Sequence, residues 1–139
     1  MADDFCIRPF KATDEAAVIA LWQRCGLVVP WNDPQRDIAR KLAFQPDGFF
    51  VGEWGESLCA ACMAGYDGHR GWLNYLAVDP AHQQRGFGKA LVEHACRFLE
   101  SLGCPKVNVQ IRTSNKVVAI FYTRLGFRED DALAFGKRL

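Results

Sequence analysis

Gln83-Gln84-Arg85-Gly86-Phe87-Gly88-Lys89 joins an apolar extended run, Trp72–Val78, to an amphipathic segment, residues 88–101. Gly86 and Gly88 carry no Cβ, so a ligand can approach their amides closely. A helix that starts here presents unpaired N–H groups and the positive end of its dipole. Those features together suit a pyrophosphate, and Arg85 and Lys89 add positive charge. The same spacing also describes a strand–helix turn that holds no ligand. Two rival phosphate motifs fit worse. A P-loop needs Ser or Thr after its Lys, and Lys89 is followed by Ala90. A dinucleotide fingerprint needs a third small residue where Leu91 stands, and its glycines follow the first strand of the fold.

The elements that must position this loop are legible as patterns. Phe5-Cys6-Ile7-Arg8 reads as a short strand. Thr13 is the expected cap of a helix through about Cys25, with Ala17, Val18, Leu21 and Trp22 at helical spacing. Pro30-Trp31-Asn32-Asp33-Pro34 is a loop by composition. Asp33 then caps a second helix, with Pro34 at its first position, running to about Gln45. Phe49–Trp54 and Ser57–Tyr66 form a hairpin about Gly55-Glu56. Asp67-Gly68-His69-Arg70-Gly71 is a further turn. After helix 88–101 come a strand over Lys106–Arg112, a helix over Asn115–Leu125, and two closing strands near Phe127–Glu129 and Leu133–Lys137. The expected fold class is α/β (α+β), a mixed sheet of about seven strands flanked by about four helices. Trp72–Val78, helix 88–101 and Lys106–Arg112 make a right-handed parallel βαβ unit.

The 139 residues fit one domain, 1–139, and half of them are apolar. Seventeen basic and 16 acidic residues leave a net charge of +1, which argues against nucleic acid as a partner. No apolar run has the length of a membrane span. Met1-Ala2-Asp3-Asp4 is acidic where a signal peptide is basic, so a cytoplasmic location is the default expectation. Cys59 and Cys62 form a CxxC pair, but residues three apart in a strand point to opposite faces. No second pair accompanies them, so no metal site is expected and the six cysteines are read as reduced.

Leu76-Ala77-Val78-Asp79-Pro80 followed by Gln83-Gln84-Arg85-Gly86-Phe87-Gly88 resembles the coenzyme A signature of the GNAT acetyltransferase superfamily, Gln/Arg-x-x-Gly-x-Gly/Ala after a hydrophobic strand. Thr113-Ser114-Asn115 with Phe121-Tyr122 and Leu125-Gly126-Phe127 resembles a second motif of that family, and the element order matches over essentially the whole chain. The tracts Pro30–Pro34 and Gly65–Gly71 resemble the bacterial YpeA subgroup.

The resemblance implies an N-acetyltransferase that uses acetyl-coenzyme A as co-substrate and a primary amine, of a small molecule or a protein, as acceptor. It implies that backbone groups of Leu76, Ala77 and Val78 hold the acetyl-pantetheine arm. The amides of Gln84, Arg85, Gly86, Phe87, Gly88 and Lys89 would hold the pyrophosphate. Asn115 would touch the pantetheine, and Tyr122 would sit near the sulfur, as general acid or simply as a hydrogen-bond donor to it. Seven residues separate that pair, so two helical turns put them on one face. Asn115 is equally readable as a cap and Tyr122 as a core aromatic. Trp31, Asn32 and Asp33 fall in the connection that borders the acceptor in similar folds, although Asp33 is also the cap of the second helix.

Two departures concern the base. Relatives that acetylate peptide N-termini carry a Glu where this chain has Gln110, and others a Glu where it has Trp72. The remaining candidates are Asp67, His69, Glu53 and a water on Asn74. A domain that binds acyl-coenzyme A as a sensor without turnover is the alternative function. Small domains of this kind commonly pair, so a homodimer is a further expectation.

Overall fold

The computed structural model describes residues 4–139, so Met1–Asp3 of the acidic start lie outside the described residues. The described chain groups into two compact units, one ending at Val109 and one beginning at Gln110.

In the first unit β1 (Phe5–Pro9), β2 (Phe49–Trp54), β3 (Ser57–Tyr66), β4 (Gly71–Val78) and β5 (Val107–Val109) lie side by side in chain order. The first four are antiparallel, as hairpin connections dictate, and β5 is parallel to β4. The parallel pairing follows from the crossover through α3 (Phe87–Ser101), as expected from the sequence. Period-2 alternation sorts β2 onto two faces. Phe49 and Val51 join Val18, Leu21 and Trp22 of α1 (Glu15–Arg24) and Ile38 of α2 (Pro34–Ala43) in one buried cluster. Phe50 turns the other way and meets His94 and Phe98 of α3 edge-on, at 4.6 and 5.5 Å. Helices therefore cover both faces of this sheet.

Local chemistry explains most element ends. Gly26 and Gly103 close α1 and α3 with positive φ. Asp33 caps α2, its carboxylate accepting from the amides of Gln35 and Arg36 at 3.0 and 3.2 Å, with Pro34 at the first helical position. Thr13 does not cap α1. It lies in a 3-10 turn, Ala12–Asp14, and the helix begins one step later. Asp14 is buried there because its carboxylate forks onto the Arg8 guanidinium at 2.8 and 2.9 Å and accepts from the Lys11 amide. The Arg8 hydrogen bonds hold this carboxyl below the usual range.

The second unit holds α4 (Lys116–Arg124) and no strand among its residues. The sheet thus has five strands among the described residues, where about seven were expected. Phe127 is drawn back onto the helix end, its amide donating to the Tyr122 carbonyl at 3.1 Å past Gly126 at φ 94°. Leu133 and Phe135 are 86% and 91% exposed. Alternating apolar residues describe one strand's faces, but a strand exists only by pairing with a neighbour, which the local pattern cannot supply.

Candidate active site

The turn from β4 into α3 is built by Asp79 and two left-handed residues. Asp79 accepts from the Ala81 amide at 3.0 Å and pairs with Arg24 at 2.8 Å. Gln84 and Gly86 then take φ of 64° and 82°. Such backbone is costly for Gln84, and outliers of this kind gather at ligand sites. The Gly86 carbonyl accepts from Ala90 at 3.0 Å, so α3 starts at Phe87. The amides of Phe87, Gly88 and Lys89 precede that bond and have no carbonyl of the preceding turn to meet. A Cβ placed on Gly86 would find no atom within 4 Å, so the space in front of this turn is open.

Phe87 anchors the turn from beneath. Its ring is buried, stacks on Phe5 at 4.0 Å and meets Trp54 edge-on at 5.9 Å. Only its amide is left for a ligand. The Arg85 guanidinium lies over the Trp54 ring at 4.0 Å, which fixes its charge at the flank of the turn. Gln84 and Lys89 are exposed.

β4 carries the second feature. Its register with β3 slips between Ala61 and Met63, where Ala77 and Asn74 are the successive partners. Three steps of β4 therefore face two of β3, a bulge, and Tyr75 takes φ 55° within it. β5 pairs only with Gly71, Trp72 and Leu73, so β4 runs on past it from Asn74 to Val78. The Asp79 amide donates to the Cys59 carbonyl at 2.8 Å, towards β3. Alternation turns the Ala77 backbone the same way and the Leu76 and Val78 backbones towards the opposite edge. The Val78 carbonyl already accepts from Gln83 Nε2 at 3.1 Å and Cys25 Sγ at 3.3 Å. Leu76 and the Val78 amide are the ladder groups left for an extended ligand.

In the second unit Asn115 caps α4, its Oδ1 accepting from the Val118 amide at 3.2 Å. Tyr122 is buried, with the Phe121 and Phe127 rings edge-on at 5.0 and 5.1 Å.

On the α2 side of the first unit lie two grooves. One, of about 430 Å³, is lined by Asp37, Arg40, Lys41, Phe44, Met63, Asn74 and Tyr75. The other, of about 280 Å³, shares Lys41, Phe44 and Asn74 with it and reaches Asp67 and Trp72. Trp31, Asn32 and Asp33 line neither, and Trp31 is 50% exposed. The Tyr75 hydroxyl donates to Asp37 Oδ2 at 2.5 Å while Asp37 Oδ1 accepts from Arg40 at 2.7 Å. Burial, reinforced by the hydrogen bond to Asp37, raises the Tyr75 phenol and keeps it protonated. Its ring stacks on Trp22 at 3.9 Å. Asp37, Lys41 and Tyr75 escaped the sequence reading. The 37/41 spacing put two groups on one face of α2, but only the bulge brings Tyr75 to them.

Two of the expected base candidates, Asp67 and Glu53, have structural partners. Asp67 accepts from the amides of Arg70 and His69, both at 2.8 Å, and these bonds hold it below the usual carboxylate range. Glu53 pairs with Arg8 at 2.7 Å. Asn74 is exposed at the junction of the two grooves. No group of three metal-ligating side chains occurs among the described residues, and no helix among them is long and apolar enough to cross a membrane.

Comparison with known proteins shows the family. The model of the acetyltransferase (GNAT) family matches residues 13–127. An acetyltransferase of Yersinia enterocolitica is 43% identical over 133 residues, which is 96% of this chain and 94% of that one. Among solved structures, the ribosomal-protein-S18-alanine N-acetyltransferase of Escherichia coli superposes with a TM-score of 0.75 at 26% identity, covering 91% of this chain and 79% of that one. AAC(6')-Iy, held with the bisubstrate analogue CoA-S-monomethyl-acetylneamine, has the same fold, with a TM-score of 0.76 at 20% identity over 97% and 98% of the two chains. The chain therefore belongs to the GNAT acetyltransferase family and is an N-acetyltransferase.

Proposed function

We propose that this chain moves an acetyl group from acetyl-coenzyme A directly to a primary amine of a small molecule or a protein. The observation that carries the reading is the β4–α3 turn, where Gly86 leaves open space before three first-turn amides. An anion of pyrophosphate size fits that chemistry: amide donors, a dipole end and the Arg85 and Lys89 charges. The complex of AAC(6')-Iy with a coenzyme A analogue supports coenzyme A as the co-substrate. The family model crosses the boundary at Val109, in keeping with one domain over 1–139. The Pro30–Pro34 and Gly65–Gly71 tracts support the YpeA-like subgroup within the family, and a second copy of the chain is the macromolecular partner proposed by family analogy.

When bound, acetyl-coenzyme A supplies an activated thioester. Leu76 and the Val78 amide offer the extended ligand a strand edge, as β-augmentation does. The Val78 amide, on that same edge, polarises a carbonyl placed against it. Asn115 is assigned to the pantetheine in addition to its capping bond, and Tyr122 is the proposed proton donor to the departing thiolate. Holding both reactants in register supplies much of the rate. The sensor alternative is not favoured, since the relatives are acetyltransferases.

Release of free thiol from acetyl-coenzyme A across an amine panel tests the reading, and no release with any amine refutes it. With Gln110 and Trp72 in place of the family's acids, the amine sheds its proton to water or a weak base. The rate at subsaturating amine is then expected to rise about tenfold per pH unit below the acceptor's own pKa. A profile already flat from about pH 6 to about pH 9 would show a stronger base at work.

Trp31, Asn32 and Asp33 remain the proposed acceptor loop, with Trp31 offering a ring face to an ammonium. Trp31→Ala is expected to raise KM for the amine by roughly 3- to 5-fold, since exposed contacts of this kind are worth under about 1 kcal/mol. KM for acetyl-coenzyme A should hold. Equal KM values for the amine would remove the loop from the acceptor site.

A further inference from the structure

Lys41 lines both grooves on the α2 side of the sheet, and among the described residues its ammonium has one hydrogen bond, to the Ala64 carbonyl. The side chain is half-buried, yet no ion pair is made by it among the described residues. The nearby charges are accounted for elsewhere. Asp37 is shared between Arg40 and Tyr75, and Asp67 is spent on the amides of its own turn. Burial accordingly pushes the Lys41 ammonium below the usual lysine range.

The β3 edge does not need this charge. One turn on, Gln45 serves the same edge with a neutral amide, accepting from the Tyr66 amide at 2.8 Å and donating to its carbonyl at 2.6 Å. A glutamine at position 41 would serve the Ala64 carbonyl in the same way, without the cost of drying an ammonium. Glycine backbone, with no side chain of its own, stands next to Nζ. A Cβ on Gly48 would lie 3.2 Å from Nζ, and one on Gly65 would lie 3.6 Å away. Around the ammonium stand Phe44, 67% exposed, with Met63 and Trp72 as further apolar walls and Asn74 at the junction of the grooves.

We infer that Lys41 is an anion-recognition residue, and that the acceptor is a primary amine bearing its own carboxylate or phosphate, which occupies the groove over Phe44. This rests on the reading of the chain as an amine acetyltransferase. An ammonium with donors left unused among the described residues, in a partly dried groove, meets such a group with charge-assisted hydrogen bonds. The apolar walls accept the short carbon chain between the two ends of the acceptor.

Matched amines that differ by the anion decide the point: β-alanine against propylamine, and O-phosphoethanolamine against ethanolamine. With wild type, kcat/KM is expected to favour the anionic member of at least one pair by roughly 10- to 100-fold, the range of one hydrogen bond to a charged group. The two pairs separate carboxylate from phosphate. Lys41→Gln should collapse that preference while KM for acetyl-coenzyme A holds, and Lys41→Arg should keep most of it. Titration of O-phosphoethanolamine and β-alanine into the coenzyme-free protein should shift the backbone amide resonances of Lys41 and its neighbours in wild type but not in Lys41→Gln. Equal rates within both pairs, or a preference that survives Lys41→Gln, would overturn the anion site and leave acetyl transfer standing. If no amine is acetylated, the transfer reading falls, and the titration alone decides: shifts lost in Lys41→Gln support the site, and their absence in wild type overturns it.

Discussion

Gly86→Asp is expected to weaken acetyl-coenzyme A binding by about 100-fold or more, because opposing like charges costs several kcal/mol. Gly86 stands in the left-handed region at φ 82°, immediately before the first free amides of α3. The space its Cβ would enter is empty of protein. A carboxylate there would project into the position assigned to the pyrophosphate. Aspartate tolerates left-handed backbone better than most residues, so the loss is mainly electrostatic. Gly86→Ala separates the two effects. It carries a backbone penalty of about 1–2 kcal/mol and no charge, so thermal stability falls while affinity is largely kept. Calorimetry with acetyl-coenzyme A on the three proteins measures this. Equal affinity of wild type and Gly86→Asp would remove the pyrophosphate from this turn, and an equal loss in both variants would assign the effect to backbone strain.

Tyr122→Phe is expected to lower kcat by about 100-fold, the lower range for one positioned general acid. The side chain keeps its place, since the ring is buried against Phe121 and Phe127 and the substitution removes a single oxygen. Affinity for acetyl-coenzyme A should be close to wild type, and stability should fall by no more than about 1 kcal/mol, the worth of one hydrogen bond. Pre-steady-state measurement of thiol release locates the change in the chemical step. An unchanged kcat would leave Tyr122 with packing as its whole role. A fall in kcat with an equal fall in affinity would make it a binding residue.

Periodicity, capping chemistry and turn residues determined the element order through β5 and α4. These signals are local: the Asp33–Pro34 pair, the Gly55-Glu56 hairpin and the glycines after α1 and α3 act within a few residues. The βα turn was readable for the same reason, since Gly86, Gly88 and the start of an amphipathic helix adjoin in sequence. What lay beyond it depended on pairing across the sheet. No residue type near Tyr75 announces that β4 bulges there, because the bulge is a mismatch of register between two strands. That mismatch takes Tyr75 to Asp37, 38 residues away, and places Asn74 over the grooves. Thr13 illustrates the same limit. Its type and position suit a cap, but the Arg8 guanidinium, arriving from β1, holds Asp14 and resets the helix start. Leu133 and Phe135 alternate as a strand would, yet the five-strand sheet pairs with neither. Sequence alone thus set the element order through α4 and the β4–α3 turn, whose determinants are contiguous. The tertiary structure decided the strand count and the Lys41 groove, because partners distant in the chain supply the hydrogen bonds and the walls.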